Sequence, residues 1–397
     1  MGLMPYSRSG SAIPAFTSRA IARACAALAW AAAFAVVPRA QAATEVCGTL
    51  TLATEWTAKE SPYLVTGDIF IPATSRLRIG PGVIVRFARP GPCTADKEAG
   101  RLPPPEPVDW ADSAYTGIKA EGTFYALGSE DQPVLFEPDN PKAGTVGWDG
   151  IRLSGQKAGA AEIGFAVFRG ANQAVTAEKA GFFIHHSLFE GNNTGVHAGL
   201  RGDVGVVNCN FIGNLSAGVV IRKGGPRLAN NVFFGNKSYG IWGDGSPAIQ
   251  AWNNAFWGNR EEACYKCPYA ILEAAKVNAN KDTCDRFGNL AADPIFLGTP
   301  SYEAAKQADV QTETPAHLIR DPKLAKMEAE ARAKAEKAKG KKKKEYAPVG
   351  NGPYLLSKYS KLVDAGKPGG EFKDRDGTPN DIGMHGGPMA RITTDPF

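Results

Sequence analysis

The chain has 397 residues, of which 43% are hydrophobic and 21% charged, with 45 glycines, 28 prolines and a formal charge of +5. That charge is local, which argues against a generally basic nucleic-acid binder. Beyond residue 42 no segment is apolar for long enough to be a membrane helix.

Residues 1–42 read as a secretory signal peptide. Arg8, Arg19 and Arg23 form a basic leader, Ala24 to Val37 is an apolar run too short to span a bilayer, and Ala40-Gln41-Ala42 gives the small-x-small cleavage pattern. Cleavage after Ala42 removes four arginines and no acid, which lowers the formal charge from +5 to +1. Cys25 has no lipoprotein-type setting, so no lipid anchor is expected there. Export permits disulfides, and Cys47, Cys93, Cys264, Cys267 and Cys284 are the candidates, with Cys47 to Cys93 as one pair and a stapled loop at the other three. A zinc set built on Cys264, Cys267 and Cys284 lacks its fourth ligand, because Phe287 stands where a second Cys-x-x-Cys would end. No metal and no cofactor is expected.

Residues 43–300 carry the fold. Early short strands are Ile69-Phe70-Ile71, Leu77-Arg78-Ile79, Val83 to Phe87, Ile118 to Thr123, Val134-Leu135-Phe136 and Trp148 to Leu153. From His185 onward one phrase repeats: Phe189, Phe211, Phe233 and Phe256 are 22, 22 and 23 residues apart, and Asn192, Asn214, Asn236 and Asn259 keep the same intervals. Runs of three to five β-formers separated by Gly and Asn describe short strands and turns, and such a period signals stacked units that cannot bury their apolar faces alone. Stacking rungs ~4.8 Å apart, each strand parallel to its equivalents, would align the phenylalanines in an interior column and the asparagines in an amide ladder. Both columns explain structure rather than chemistry.

The lettering resembles the secreted right-handed parallel β-helix repeat proteins of bacteria, the pectin-lyase-like architecture. The resemblance rests on Ile71-Pro72 followed by Leu77-x-Ile79-x-Pro81-Gly82-Val83-x-Val85-x-Phe87, on Ala126-x-Gly128-Ser129 before Pro133-Val134-x-Phe136, and on Trp148-x-Gly150-Ile151. Its closing phrases are Asp293-Pro294-Ile295-Phe296, Leu362-Val363-Asp364-Ala365-Gly366 and Asp374-x-Asp376-Gly377-Thr378-x-Asn380-Asp381-Ile382-Gly383. It implies an all-β right-handed parallel β-helix of roughly ten coils with a helical basic insertion and a C-terminal closing segment.

Two stretches depart from the coils. Pro90 to Trp110 is Pro-rich and reads as a stiff loop. Residues 301–350 form a charged insertion with high helix propensity and no apolar stripe, ending in Lys341-Lys342-Lys343-Lys344. It reads as a solvated arm, or as a contact for an anionic polymer. Ile212, Phe234 and Trp257 each follow a core phenylalanine, so they should face outward as an apolar stripe. The closing segment, 351–397, is the expected cover.

Enzymes of the resembled architecture work in a groove on an outward sheet face, where lyases use acids to hold calcium and a basic residue as base, and hydrolases use clustered aspartates. Aligning Gly195, Gly218 and Gly240 puts His197, Val220 and Trp242 on one outward row, with Gly199, Arg222 and Asp244 two residues further. His197, Arg222, Lys223, Trp242 and Asp244 are therefore the candidate glycan-binding residues. Arg222 and Asp244 are placed to pair across coils, and Trp242 to stack on a sugar ring. Only one carboxylate falls in that patch, Asp203 and Glu190 sit elsewhere on their coils, and no catalytic residue can be named. His186 takes a turn slot that other coils fill with Asn208, Asn230 and Asn253. Asp374-Arg375-Asp376-Gly377 lacks the later acids of a calcium loop and reads as a plain turn. The sequence thus points to an exported, non-catalytic envelope or extracellular protein binding polysaccharide or another anionic cell-surface polymer. The alternative is a polysaccharide lyase or glycoside hydrolase, and sequence-specific nucleic-acid binding has no support.

Overall fold

A computed structural model describes residues 42–93, 101–102, 114–141, 145–155, 161–199, 204–245, 249–267, 271–301, 303–305, 353–374 and 376–387. The chain divides into units 1–42 and 43–397, and the second carries every element discussed below. The predicted leader, most of the Pro-rich loop, and all but the first residues of the charged insertion lie outside the described residues.

The coils wind as a right-handed parallel β-solenoid of about 8 turns, with almost no helix. Each turn contributes strands to three faces. On the first face Ala166–Arg169, Leu188–Glu190, Asn210–Ile212, Val232–Phe234 and Ala255–Trp257 pair in parallel without slippage. The second stacks Gly117–Ala120, Trp148–Ser154, Ala171–Glu178, Thr194–Ala198, Ala217–Ile221, Tyr239–Trp242 and Glu262–Tyr265. The third is an eight-stranded sheet running from Thr54–Trp56 to Gln250–Trp252, one strand per turn. The turns are fewer than the ten expected, and the strand Tyr63–Ile71 bends through a corner to serve two faces.

The core is a set of columns. Phe189 stacks on Phe211 at 4.8 Å between centroids, Phe211 on Phe233 at 5.0 Å, and Phe233 on Phe256 at 4.8 Å, all with rings within 8° of parallel. The column runs two rungs further up through Phe168 and Phe136, each step again 4.8 Å, and Trp148 lies over Phe87 at its head. Burying each ring contributes on the order of 2–3 kcal/mol, with a smaller stacking increment. The glycine recurring opposite the column is dictated by it: a Cβ at Gly218 would lie 2.7 Å from a ring carbon of Phe233.

Asn192, Asn214, Asn236 and Asn259 form the amide ladder between the first and second faces. From Asn214 on, each Oδ1 accepts both the main-chain N–H and the side-chain Nδ2 of the preceding asparagine, at 2.7 to 3.2 Å, while each Nδ2 also reaches a carbonyl one rung up, as Asn214 does to Phe189 at 3.1 Å. A second ladder stands between the third and first faces, where Asn231, Asn254 and Asn289 repeat the same geometry. The Asn-Asn pairs at 230–231 and 253–254 carried that signal, since one member of each turns the chain and the other stacks.

Cys47 and Cys93 pair with Cα atoms 5.8 Å apart, and Cys264 pairs with Cys267 at 5.9 Å. Cys284 does not join them. It is a buried free thiol, as is Cys209, and burial raises the pKa of both.

The closing segment returns along the outside of the first face. Phe296, Leu356, Leu362, Ala365 and Ile382 form a second apolar cluster with Val167, Leu188, Ile212, Val232 and Ala255. Ile212 is thereby buried, Phe234 meets Phe296 edge-on at 5.8 Å, and Trp257 stays partly exposed. Polar anchors fix the segment to consecutive coils: Asn208 Nδ2 donates to Asn380 Oδ1 and to the Gly383 carbonyl, Asn230 Oδ1 accepts from the Lys367 N–H, and Asn253 Nδ2 donates to the Ala365 carbonyl. These asparagines occupy the left-handed turn position, with φ of 51, 57 and 50°, which Asn tolerates better than most residues.

Candidate functional site

The outward row of the second face reads Thr176, His197, Val220, Trp242, Tyr265, in direct register from coil to coil. Inward-facing Val196, Val219 and Ile241 are fully buried, so this row is held by the core packing beneath it. Gln173, Thr194, His197, Ser216, Val220, Arg222 and Trp242 line a half-open cavity of about 290 Å³ on that surface.

Of the predicted residues, His197, Arg222 and Trp242 meet at this cavity. The Arg222 guanidinium lies over the Trp242 ring, 5.6 Å from its centroid, a cation–π contact of about 0.5–1 kcal/mol at an exposed site. Lys223 and Asp244 meet at the edge of the sheet, where the main-chain N–H of Lys223 donates to Asp244 Oδ2 at 2.5 Å. That contact fastens a turn in which Lys223 has φ 54°.

His197 is a fixed part of the wall. Its Nδ1 lies 3.1 Å from Gln173 Oε1, which also accepts from the Thr176 hydroxyl at 2.9 Å, so Nδ1 carries the proton and the neutral ring is locked. Burial first and the Arg222 charge second lower its pKa below the ordinary imidazole value, with Glu178 opposing. Nε2 is screened from solvent and has no hydrogen-bond partner among the described residues.

Sequence reasoning missed the aromatic continuation. Tyr265 stacks on Tyr239 at 5.1 Å and neighbours Trp242 at 6.2 Å, and Lys266 sits over the Tyr265 ring at 5.3 Å. The signal was the interval of 23 residues from Trp242 to Tyr265, the same step that separates Phe233 from Phe256. Gln173, Thr194 and Ser216 were also missed, because polar residues of that size carry no motif.

Among the described residues no carboxylate lines the cavity. Glu190 is turned to the first face, where it accepts from Arg169 Nε at 2.8 Å and from the Tyr354 hydroxyl. Arg201 and Asp203 lie outside the described residues. Among the described residues no group of three or more His, Cys, Asp or Glu side chains is arranged to hold a metal ion. Asp374 and Asp376 instead brace the closing segment: the Asp374 carboxylate accepts the N–H groups of Asp381 and Gly387, and Asp376 Oδ1 accepts from Thr378. No helix among the described residues is long and apolar enough to cross a membrane.

Residues 144–277 match a family model described as "Right handed beta helix region". That stretch is the centre of the solenoid, including the second-face groove, and its match agrees with the right-handed parallel β-solenoid that the coils form. No curated protein and no solved structure matches the chain.

Proposed function

We propose that this is an exported, non-catalytic β-helix protein that binds an anionic polysaccharide along its second face. The observation that carries the reading is the Arg222–Trp242 pair at a cavity whose described lining holds no carboxylate. An arginine beside an aromatic face suits a sugar ring bearing a carboxylate or sulfate, the charge meeting the guanidinium and the ring face meeting the indole. Tyr239 and Tyr265 extend the aromatic platform by one coil, which suits a chain rather than a single sugar. Acid–base cleavage of a glycosidic bond by two side chains needs two converging carboxylates, and the lining has none among the described residues. Export is supported by the basic and apolar leader and by the Cys47–Cys93 pair.

The test is retention of the purified 43–397 protein on a panel of acidic and neutral polysaccharides, with unsaturated products and new reducing ends measured in the same tubes. Retention on acidic polymers, lowered about tenfold by Trp242→Ala or Arg222→Ala, is the expected result, each loss corresponding to roughly 1.4 kcal/mol. Equal retention of both variants would remove the groove, and turnover would overturn the non-catalytic reading. Deleting 322–344 while folding is unchanged tests whether the lysine-rich insertion adds to retention.

A further inference from the structure

One coil departs from the asparagine rule, and the departure couples a titratable pair to the closing segment. At the turn position where later coils have Asn208, Asn230 and Asn253, this coil has His186, also left-handed at φ 46°. Its Nε2 lies 2.9 Å from the Gly386 carbonyl, so His186 anchors the last part of the closing segment as the asparagines anchor the rest. Its Nδ1 lies 2.9 Å from Nδ1 of His185. Both residues are buried, His186 at 1% exposure.

The proton positions follow from the partners. A carbonyl only accepts, so His186 Nε2 bears the hydrogen, and in the neutral ring its Nδ1 is the acceptor. His185 Nδ1 must then be the donor, and His185 Nε2 faces Glu162 Oε1 at 3.5 Å. A proton arriving at His186 Nδ1 meets the N–H of His185 across 2.9 Å and puts a charge on a ring that is 1% exposed. A ring that turns away from that clash gives up its bond to Gly386.

We propose that the His185–His186 pair is a proton-sensitive latch, and that a second proton on His186 frees the closing segment from this end of the coil stack. The groups facing His186 are accounted for on each element packed against it. His185 lies on its own strand and Glu162 on the neighbouring one. From the closing segment come His385, which repels a charge on His186, and the Gly386 carbonyl, with Asp381 and Asp374 bonded nearby. Across a cavity of about 410 Å³ at the seam, lined also by Phe165, Pro353 and Met384, stand Glu130 and Asp131. His385 is not the latch, because its Nε2 donates to the Pro353 carbonyl within the same segment and a second proton does not break that bond. Release uncovers Val167 and Leu188, apolar side chains of the first face that belong to the seam cluster.

The test is hydrogen exchange of the intact protein from neutral pH to about pH 5, the range in which histidine latches operate, corrected for the intrinsic pH dependence of exchange. Peptides spanning 376–387 should lose protection by about tenfold or more on acidification while peptides spanning 204–221 hold theirs. His186→Asn installs the residue used by the later coils, and should restore most of the segment's protection at the acid end. His385→Asn should keep the larger part of the wild-type acid loss. Unchanged wild-type protection across the range overturns the proposal without any variant. So does an acid loss in His186→Asn as large as in wild type.

Discussion

Asn230 and Lys367, 137 residues apart, are joined at 2.7 Å through the Asn230 Oδ1 and the Lys367 main-chain N–H, while the Asn230 carbonyl accepts from the Gly383 N–H at 2.8 Å. One residue of a left-handed turn therefore holds two points of the closing segment. Asn230→Ala should cost about 1–3 kcal/mol, by leaving a buried N–H without its acceptor and by placing a Cβ residue that lacks the amide at positive φ. Asn230→Gly separates the two effects, since it restores the backbone freedom and not the bond. Urea unfolding of the three proteins measures both, and the glycine variant should fall between wild type and alanine.

Phe211→Ala removes the middle of the aromatic column and opens a cavity between Phe189 and Phe233. The expected loss is about 3–5 kcal/mol. Phe234→Ala, on the covered outward side of the next coil, should lose less because that ring is only partly buried. Equal losses in thermal or urea unfolding would contradict the assignment of core and cover.

Asn214→Ala breaks the ladder in its middle, depriving the Asn192 N–H and side chain of their acceptor and the Phe189 carbonyl of a donor. Because these groups are buried, the cost should be at least about 2 kcal/mol. Asn214→Asp keeps the acceptor, loses the donor and brings a buried charge, so it should be no better than alanine at neutral pH and recover partly in acid. Equilibrium unfolding of both variants at two pH values decides this.

The Asp374 carboxyl is pushed up to about 8, by burial first and the Asp381 charge second, against the pull of the Gly387 and Asp381 N–H groups. A folded-state value above the unfolded one makes the folded chain the better proton acceptor between about pH 4 and pH 8. The contribution is fully present below the unfolded value and is lost as pH rises through about 8. His186 and His385, both held below the ordinary imidazole range by burial, act with the opposite sign and weaken the fold as pH falls below that range. Docking of the closing segment should therefore be strongest near the ordinary imidazole value, and Asp374→Asn should remove the fall towards about pH 8 and steepen the loss on the acid side. Melting temperatures across pH 5 to about 9 for both proteins test it.

The repeat made most of this architecture legible. Identical intervals at Phe189, Phe211, Phe233 and Phe256 can be satisfied by stacking, and stacking dictates the columns, the amide ladder and the glycines that face the rings. The return of the closing segment over Ile212 was also readable, because an alternating strand leaves an apolar residue outside and something must cover it. The anchors were not readable. Asn208 and Asn230 look like ordinary turn residues, and only the fold reveals that the carbonyls and N–H groups they serve arrive from residues 365–383. The groove was half legible for a similar reason. Register placed His197, Arg222 and Trp242 together, but which of them offers a polar atom to a ligand depends on the Gln173–Thr176 contact that immobilises His197.

The asparagines that receive the closing segment come once per coil, and the segment meets them in a fixed order along its length. It therefore behaves as a ruler laid against the stack. A coil added or deleted within residues 186–259 would leave every cross-section chemically sound, yet the measuring segment would no longer match the graduations beneath it. Here the number of rungs is matched by a segment that is not itself part of any rung.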